Sequence, residues 1–284
     1  MVMPSFEIIE PEAGDSPLVV EVPHAGLGID GESASWIAAP IDCLARDADL
    51  YVDELFADSP RHGATLVVAR LSRYVVDLNR AADDYDGIAV RGGPEGNRPR
   101  GVIWRLTSDG RQVQRAQVTP DEAERRLDQY YRPYHQGLTQ VLERKRDRFG
   151  FAVLLCAHSM PTPRHRASAG RAPTGGADLV PGTCGRTSAA PHWIDLIDSL
   201  SREPGYHVRH DDPYRGGFST AHYGRPADHF HAVQLEIARR LYMDETTLAR
   251  DPSGFPQVAA FAARLVARLA ESATTRAQHP GGVT

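Results

Sequence analysis

Short apolar runs recur along this chain, and the stretches between them are long enough to hold helices. The runs cover residues 18–22, 64–69, 74–78, 151–157 and 230–237. Each is brief and bounded by turn-forming residues, which reads as a strand buried on both faces. Strands that alternate with helices call for an α/β architecture with a parallel-dominated sheet. The helical signal is clearest after Thr119. Thr119 suits the N-cap, Pro120 the first helical position and Glu122 the partner of a capping box. Leu127, Tyr130, Tyr131, Tyr134, Leu138, Val141 and Leu142 then mark one apolar stripe, which Pro133 should kink. Further helices are expected over residues 49–57, 190–200 and 257–269. The expectation is one domain over residues 1–275, with a mixed, mostly parallel sheet flanked by helices and a disordered tail at 276–284.

Composition removes several classes of function. The 284 residues can bury one large core. A net charge of −5 speaks against a nucleic-acid surface, and no apolar run approaches the roughly 20 residues that a membrane helix needs. The first residues carry neither a basic segment nor an apolar one, so no secretory leader is expected. Three scattered cysteines, Cys43, Cys156 and Cys184, form no CxxC pair and suit a reducing cytoplasmic location. Lys145 is the only lysine; arginine carries the remaining fixed positive charge. There is no GxGxxG after a strand, no GxxxxGK[ST] and no GxSxG, so nucleotide binding and an α/β-hydrolase serine lack support.

Two of the runs close on histidine: His24 follows residues 18–22, and His158 follows residues 151–157. In open α/β sheets ligands sit outside the carboxyl ends of strands, so both imidazoles stand where such folds place their chemistry. Between them lies Arg46-Asp47-Ala48-Asp49. Two histidines and one carboxylate form a common catalytic zinc ligand set, with Asp47 or Asp49 as the acid. A helix starting near Asp49 would put that carboxylate in its first turn, where the dipole favours the ionised form. Glu236 interrupts an otherwise apolar run. A carboxylate there either acts as a base or pairs with an arginine such as Arg239 or Arg240.

Ser72-Arg73-Tyr74-Val75-Val76-Asp77-Leu78-Asn79-Arg80 would set Asn79 and Arg80 at a strand end, with the Arg80 fork suited to a substrate carboxylate. Asp77 could hold Arg73 or Arg80. A glycine turn, Arg215-Gly216-Gly217, then leads to the donors His222, Tyr223 and Arg225. Cys156 reads as a buried structural thiol, with a soft ligand or nucleophile as the alternative. Two long irregular segments, residues 83–110 and 161–188, leave the same edge and are expected to be functional or disordered.

Together these pieces resemble the N-formylglutamate amidohydrolase (N-formylglutamate deformylase) family. The resemblance rests on Val22-Pro23-His24-Ala25-Gly26, on Arg46-Asp47-Ala48-Asp49 and on the string from Ser72 to Arg80. It continues through Tyr131-Arg132-Pro133-Tyr134-His135, Ala157-His158-Ser159, the segment from Gly216 to Pro226 and the segment from Val233 to Asp244. They stand in one order over roughly residues 17–250. The resemblance implies a fold similar to zinc carboxypeptidases and a metal-dependent hydrolase that releases formate and glutamate from N-formyl-L-glutamate in histidine degradation. It implies one divalent ion, zinc, on His24, Asp49 and His158, and Glu236 as general base. Asp49 is preferred to Asp47 because it sets Val52, Leu55 and Phe56 on one helix face. Asn79, Arg80, Arg73, Arg215, Tyr223 and Arg225 are the expected substrate-binding residues for a small acidic N-acyl amino acid. The segment after His158 departs from the family pattern and keeps only an Asp-x-x-x-Gly-Thr frame from Asp178 to Thr183. It is expected to shape the acyl or side-chain pocket. The same residues also suit an amidase or peptidase acting on another N-acyl amino acid or short peptide, or a non-catalytic binder of acidic metabolites.

Overall fold

The structure is a computed structural model that describes residues 4–12, 14–162 and 176–279. Six strands form one sheet: β1 (Phe6–Ile9), β2 (Leu18–Val22), β3 (Thr65–Ala69), β4 (Ala152–Met160), β5 (Leu179–Gly182) and β6 (Phe230–Ala238). Their order is β1-β3-β2-β4-β6-β5. The four central strands run parallel, and β1 and β5 close the edges antiparallel. The sheet is thus mixed and mostly parallel, as expected. The central strands are buried throughout, the reason their sequences read as unbroken apolar runs.

One expected strand is absent. Residues 74–78 are buried but fold as turns. The Val75 amide bonds to the Ser72 carbonyl, and the Asp77 amide to the Val102 carbonyl, so no ladder is needed. Apolar character here reports burial and not strand geometry. β1 and β5 went unforeseen because short edge strands carry polar residues and Pro181.

The helices are α1 (Gly31–Trp36), α2 (Ile41–Asp47), α3 (Val52–Leu55), α4 (Pro120–Arg126), α5 (Arg132–Phe149), α6 (Pro191–Arg202), α7 (Phe218–Tyr223) and α8 (Gly254–Gln278). Thr119 caps α4 by accepting from the Glu122 amide at 3.3 Å. The capping box is only half formed, because the Glu122 carboxylate pairs with Arg125 and Arg126, each at 2.7 Å. The kink expected at Pro133 is realised as a π-helical turn, Leu127–Tyr131, joining α4 to α5. The helix expected over 49–57 shortens to α3, with Tyr51 before it at φ 68. Asp49 therefore lies between two helices and gains nothing from a first-turn dipole. α8 extends to Gln278, three residues past the expected domain boundary, while residues 280–284 lie outside the described residues. Among the described residues no helix is long and apolar enough to cross a membrane.

Each face of the sheet buries its own core. Val20, Leu155 and Val233 pack with Trp193 of α6 and Leu265 of α8. Val19, Leu154 and Ala232 pack with Tyr134 of α5 and with Trp104 from the 83–110 segment. Lys145 of α5 is 1% exposed and pairs with Asp15. Strand alternation carries a further consequence. Glu21, Cys156, His158, Gln234 and Glu236 fall on the α5 side toward the carboxyl ends, with Glu21 opposite Cys156 and His158 opposite Glu236.

On that side His135 of α5 sits among Tyr131, Phe218 and Tyr223, with Nδ1 2.8 Å from the Tyr223 hydroxyl. Burial, aided by His222, pulls its imidazole down to about 3. Between that value and the ordinary histidine range, the unfolded chain binds a proton that the folded chain does not. Stability from His135 is therefore present near neutral pH and lost as pH falls. In urea titrations the stability gap between wild type and His135→Gln should widen from pH 4 to pH 6.5, by at most about 1.4 kcal/mol per pH unit. A gap independent of pH would contradict this.

Candidate active site

A cleft of ≈ 1380 Å³ opens at the carboxyl ends of the central strands, with His24, Asp49, His158 and Glu236 in its lining. His24 stands two residues beyond β2 in the turn Pro23-His24-Ala25-Gly26. Gly26 lies so close to the end of β3 that a Cβ would meet the Arg70 carbonyl carbon at 2.4 Å. The Asp49 amide donates to the His24 carbonyl at 2.9 Å and draws the α2–α3 link against this turn. His158 lies inside β4, two residues before its end.

The donor atoms of His24, Asp49 and His158 lie within 4.8 Å of one another, and all three residues are buried. Both imidazoles aim Nδ1 at the same carboxylate oxygen: Asp49 Oδ2 is 3.6 Å from His24 and 3.0 Å from His158. Their other nitrogens are engaged. His24 Nε2 meets Asp77 Oδ1 at 2.8 Å, and His158 Nε2 lies 3.2 Å from Asn79 Nδ2. With Nε2–H donated to Asp77, His24 turns a lone pair toward Asp49, an arrangement that a cation between them stabilises. The donor set therefore fits a divalent ion such as zinc.

Buried carboxylates need compensation, and each here has a distinct source. Burial alone would raise Asp49, but the imidazoles of His158 and His24 hold it well below the usual range. Its second oxygen accepts from Arg239 at 3.1 Å. Arg239 also reaches Ser159 Oγ and the Arg46 carbonyl. Asp77 is a hub. It accepts from His24, the Asn79 amide, Arg73 and Trp104 Nε1. Arg73 and then His24 overcome the burial that would raise it. Glu236 is different: burial pushes its carboxyl up to about 7, with His158 opposing and Asp49 reinforcing. Its hydrogen bond comes from Gln234 at 2.9 Å, and among the described residues no arginine pairs with it.

Asp47 is not part of this group. It accepts from the Tyr74 hydroxyl at 2.6 Å and from Ser108, fastening the 83–110 segment to the cleft wall. Arg73 lines the cleft with its fork engaged by Asp77 and its guanidinium over Trp104. Arg80 lines it too, with two nitrogens on the carbonyls of Arg100 and Asn79. Asn79 is buried and bridges His158 and the Ser219 amide. Arg215 stands in the wall. Two expected substrate residues do not reach the cleft. Tyr223 is buried and turned toward His135, and Arg225 is exposed and pairs with Asp228 at 3.1 Å.

Two further residues belong here. Arg239, a possible partner of Glu236 by sequence, holds Asp49 instead. Arg100 comes from the 83–110 segment, and among the described residues neither it nor Arg215 forms an ion pair. Of the 161–188 segment, residues 163–175 lie outside the described residues, while Pro161, Thr162, Gly176 and Ala177 line the cleft.

Residues 16–243 match the family model described as N-formylglutamate amidohydrolase. The N-formylglutamate deformylase of Pseudomonas putida is 34% identical over 236 residues, 82% of this chain and 84% of its own length. That of Pseudomonas aeruginosa is 31% identical over 242 residues, 84% of this chain and 86% of its own length. The crystal structure of N-formylglutamate amidohydrolase from Ralstonia eutropha has a TM-score of 0.85 at 34% identity, covering 95% of this chain and 98% of that one.

The donor set makes a direct prediction. In calorimetric titration the metal-stripped protein should bind about one zinc ion per chain. Asp49→Ala and His158→Ala should abolish binding, while Asp47→Asn and Arg225→Ala should retain it. Loss with Asp47→Asn alone would transfer the ligand role to Asp47.

Proposed function

The chain belongs to the N-formylglutamate amidohydrolase family and is a hydrolase acting on an amide bond; from that premise we propose that it cleaves N-formyl-L-glutamate to formate and L-glutamate. The observation that carries the reading is a partnered His24–Asp49–His158 triad beside a buried carboxyl, Glu236, under an arginine-lined cleft. His24 through Nδ1, Asp49 through Oδ2 and an imidazole nitrogen of His158 would hold the metal. A divalent ion there supplies Lewis-acid polarisation and acidifies water.

The chain's own residues do the rest. Glu236 takes the proton of the attacking water and returns it to the departing nitrogen as the carbon–nitrogen bond breaks. Burial raises its proton affinity, which suits a group that must both accept and release a proton near neutrality. Gln234 orients it from one side. Asp77 and Arg239 stay outside the reaction and hold His24 and Asp49 in place. The forked guanidiniums of Arg100 and Arg215 receive the carboxylates of a dianionic substrate, and Arg80, with Nε and Nη1 engaged by carbonyls and Asp84 at 4.0 Å, adds its remaining nitrogen. Asn79 and Arg73 act indirectly, since their polar atoms are already engaged by His158 and Asp77.

Formate release from N-formyl-L-glutamate, set beside N-formyl-aspartate and N-acetyl-glutamate, tests the substrate. Activity should be strongest on N-formyl-L-glutamate, lost to chelator and restored by zinc. Metal binding without turnover of any of the three would require another N-acyl substrate. Glu236→Gln should lower kcat by about 10²–10⁴-fold while still binding the ion. Near-full turnover by that variant would remove Glu236 from the role of base.

Arg215→Ala and Arg100→Ala should each lower kcat/KM by about 10-fold or more, as expected for a lost charged hydrogen bond. The same substitutions should change activity toward a singly charged N-formyl amino acid far less. An equal loss on both substrates would argue against carboxylate recognition by these residues.

A further inference from the structure

A buried carboxyl on β2 has no place in the chemistry above. Glu21 has 0% exposure, and among the described residues no ion pair includes it. Its Oε1 accepts from the Tyr134 hydroxyl at 3.0 Å and from the Ser219 hydroxyl at 2.9 Å, while Oε2 has no hydrogen-bond partner. Burial pushes this carboxyl up, and the Ser219 hydroxyl opposes that shift. Enclosing such a group is costly unless its hydrogen bonds accomplish something.

What Glu21 grips is the turn that opens α7. From this turn two hydrogen-bonded paths run to the reacting groups. The Gly217 amide donates to Gln234 Oε1 at 2.8 Å, and Gln234 Nε2 donates to Glu236 Oε1 at 2.9 Å. The Ser219 amide donates to Asn79 Oδ1 at 2.9 Å, and Asn79 Nδ2 lies 3.2 Å from His158 Nε2. Contact is close enough that a Cβ at Gly217 would fall 2.3 Å from Asn79 Nδ2, so the turn cannot shift without moving that amide.

We propose that Glu21 is a positioning residue: through Ser219 it sets the first turn of α7, and that turn aims His158 by way of Asn79 and Glu236 by way of Gln234. The inference rests on the roles assigned above to His158 and Glu236. One anchor beneath the sheet thus controls two groups that reach the cleft from different strands.

The test uses the full chain carrying Glu21→Gln, Glu21→Met or Ser219→Ala. Gln keeps an acceptor for both hydroxyls; Met does not; Ser219→Ala cuts only the link to α7. Three readouts are needed: kcat and KM for formate release, zinc affinity by chelator competition, and amide hydrogen exchange at Gly217 and residue 219 in metal-free protein. Glu21→Met and Ser219→Ala should lower kcat by about 10–100-fold, weaken zinc by about 10-fold and speed exchange at both amides, with KM little changed. Glu21→Gln should stay within about 3-fold of wild type in kcat. A fall in thermal stability alone, with unchanged kcat, zinc affinity and exchange, would make Glu21 merely structural and overturn the proposal. So would a loss by Glu21→Gln equal to that by Glu21→Met. If Glu21→Met fails to fold, Ser219→Ala decides. If wild type does not turn over N-formyl-L-glutamate, the substrate reading fails, and exchange and zinc affinity decide the positioning role by themselves.

Discussion

The site depends on keeping an ionised carboxylate, Asp49, where water hardly reaches. At 3% exposure its charge is tolerable only because imidazoles meet one oxygen and a guanidinium meets the other. Removing a single partner would leave a buried charge under-compensated, a larger penalty than a surface ion pair could offset. This requirement ties together segments distant in sequence. The turn after β2, the α2–α3 link, β4 and the end of β6 must all arrive at once for Asp49 to ionise. Asp77 repeats the solution one layer out, with Arg73, Trp104 and the Asn79 amide joining His24 around it.

The sheet and the loops divide the labour. β2, β4 and β6 are clamped between two cores and present Glu21, His158, Gln234 and Glu236 at fixed spacings set by strand alternation. Groups that must hold sub-ångström geometry belong on such rigid elements. Arg80, Arg100 and Arg215 come from connecting segments, where guanidiniums on long stems can adapt to a ligand.

Legibility in the sequence follows the same division. His24, His158 and Glu236 were visible because each is a polar residue at or in an apolar run, and the pattern that buries the run also places the residue. Helix register alone separates Asp49 from Asp47 in the sequence, and α3 is shorter than that register needs; Arg239 and the His24 carbonyl bring Asp49 beside the imidazoles instead. Residues 74–78 looked like a strand because composition cannot distinguish a ladder from a buried turn. Tyr223 and Arg225 looked like site residues because they neighbour the glycine turn in sequence, yet α7 carries them away from the cleft. Arg100 and Asp77's full partner list depend on how a long irregular segment folds back. No local pattern encodes that.

Arginine's near-monopoly on fixed positive charge acquires meaning once Lys145 is found sealed against Asp15. The cleft wall then carries guanidinium and no side-chain amine. Guanidinium keeps its proton far above any physiological pH. On the proposed reading, the positive charge offered to an anionic substrate is held by groups that do not titrate in the working range. The guanidiniums of the wall keep their charge as conditions change, and the groups that exchange protons are the histidines and carboxyls among them.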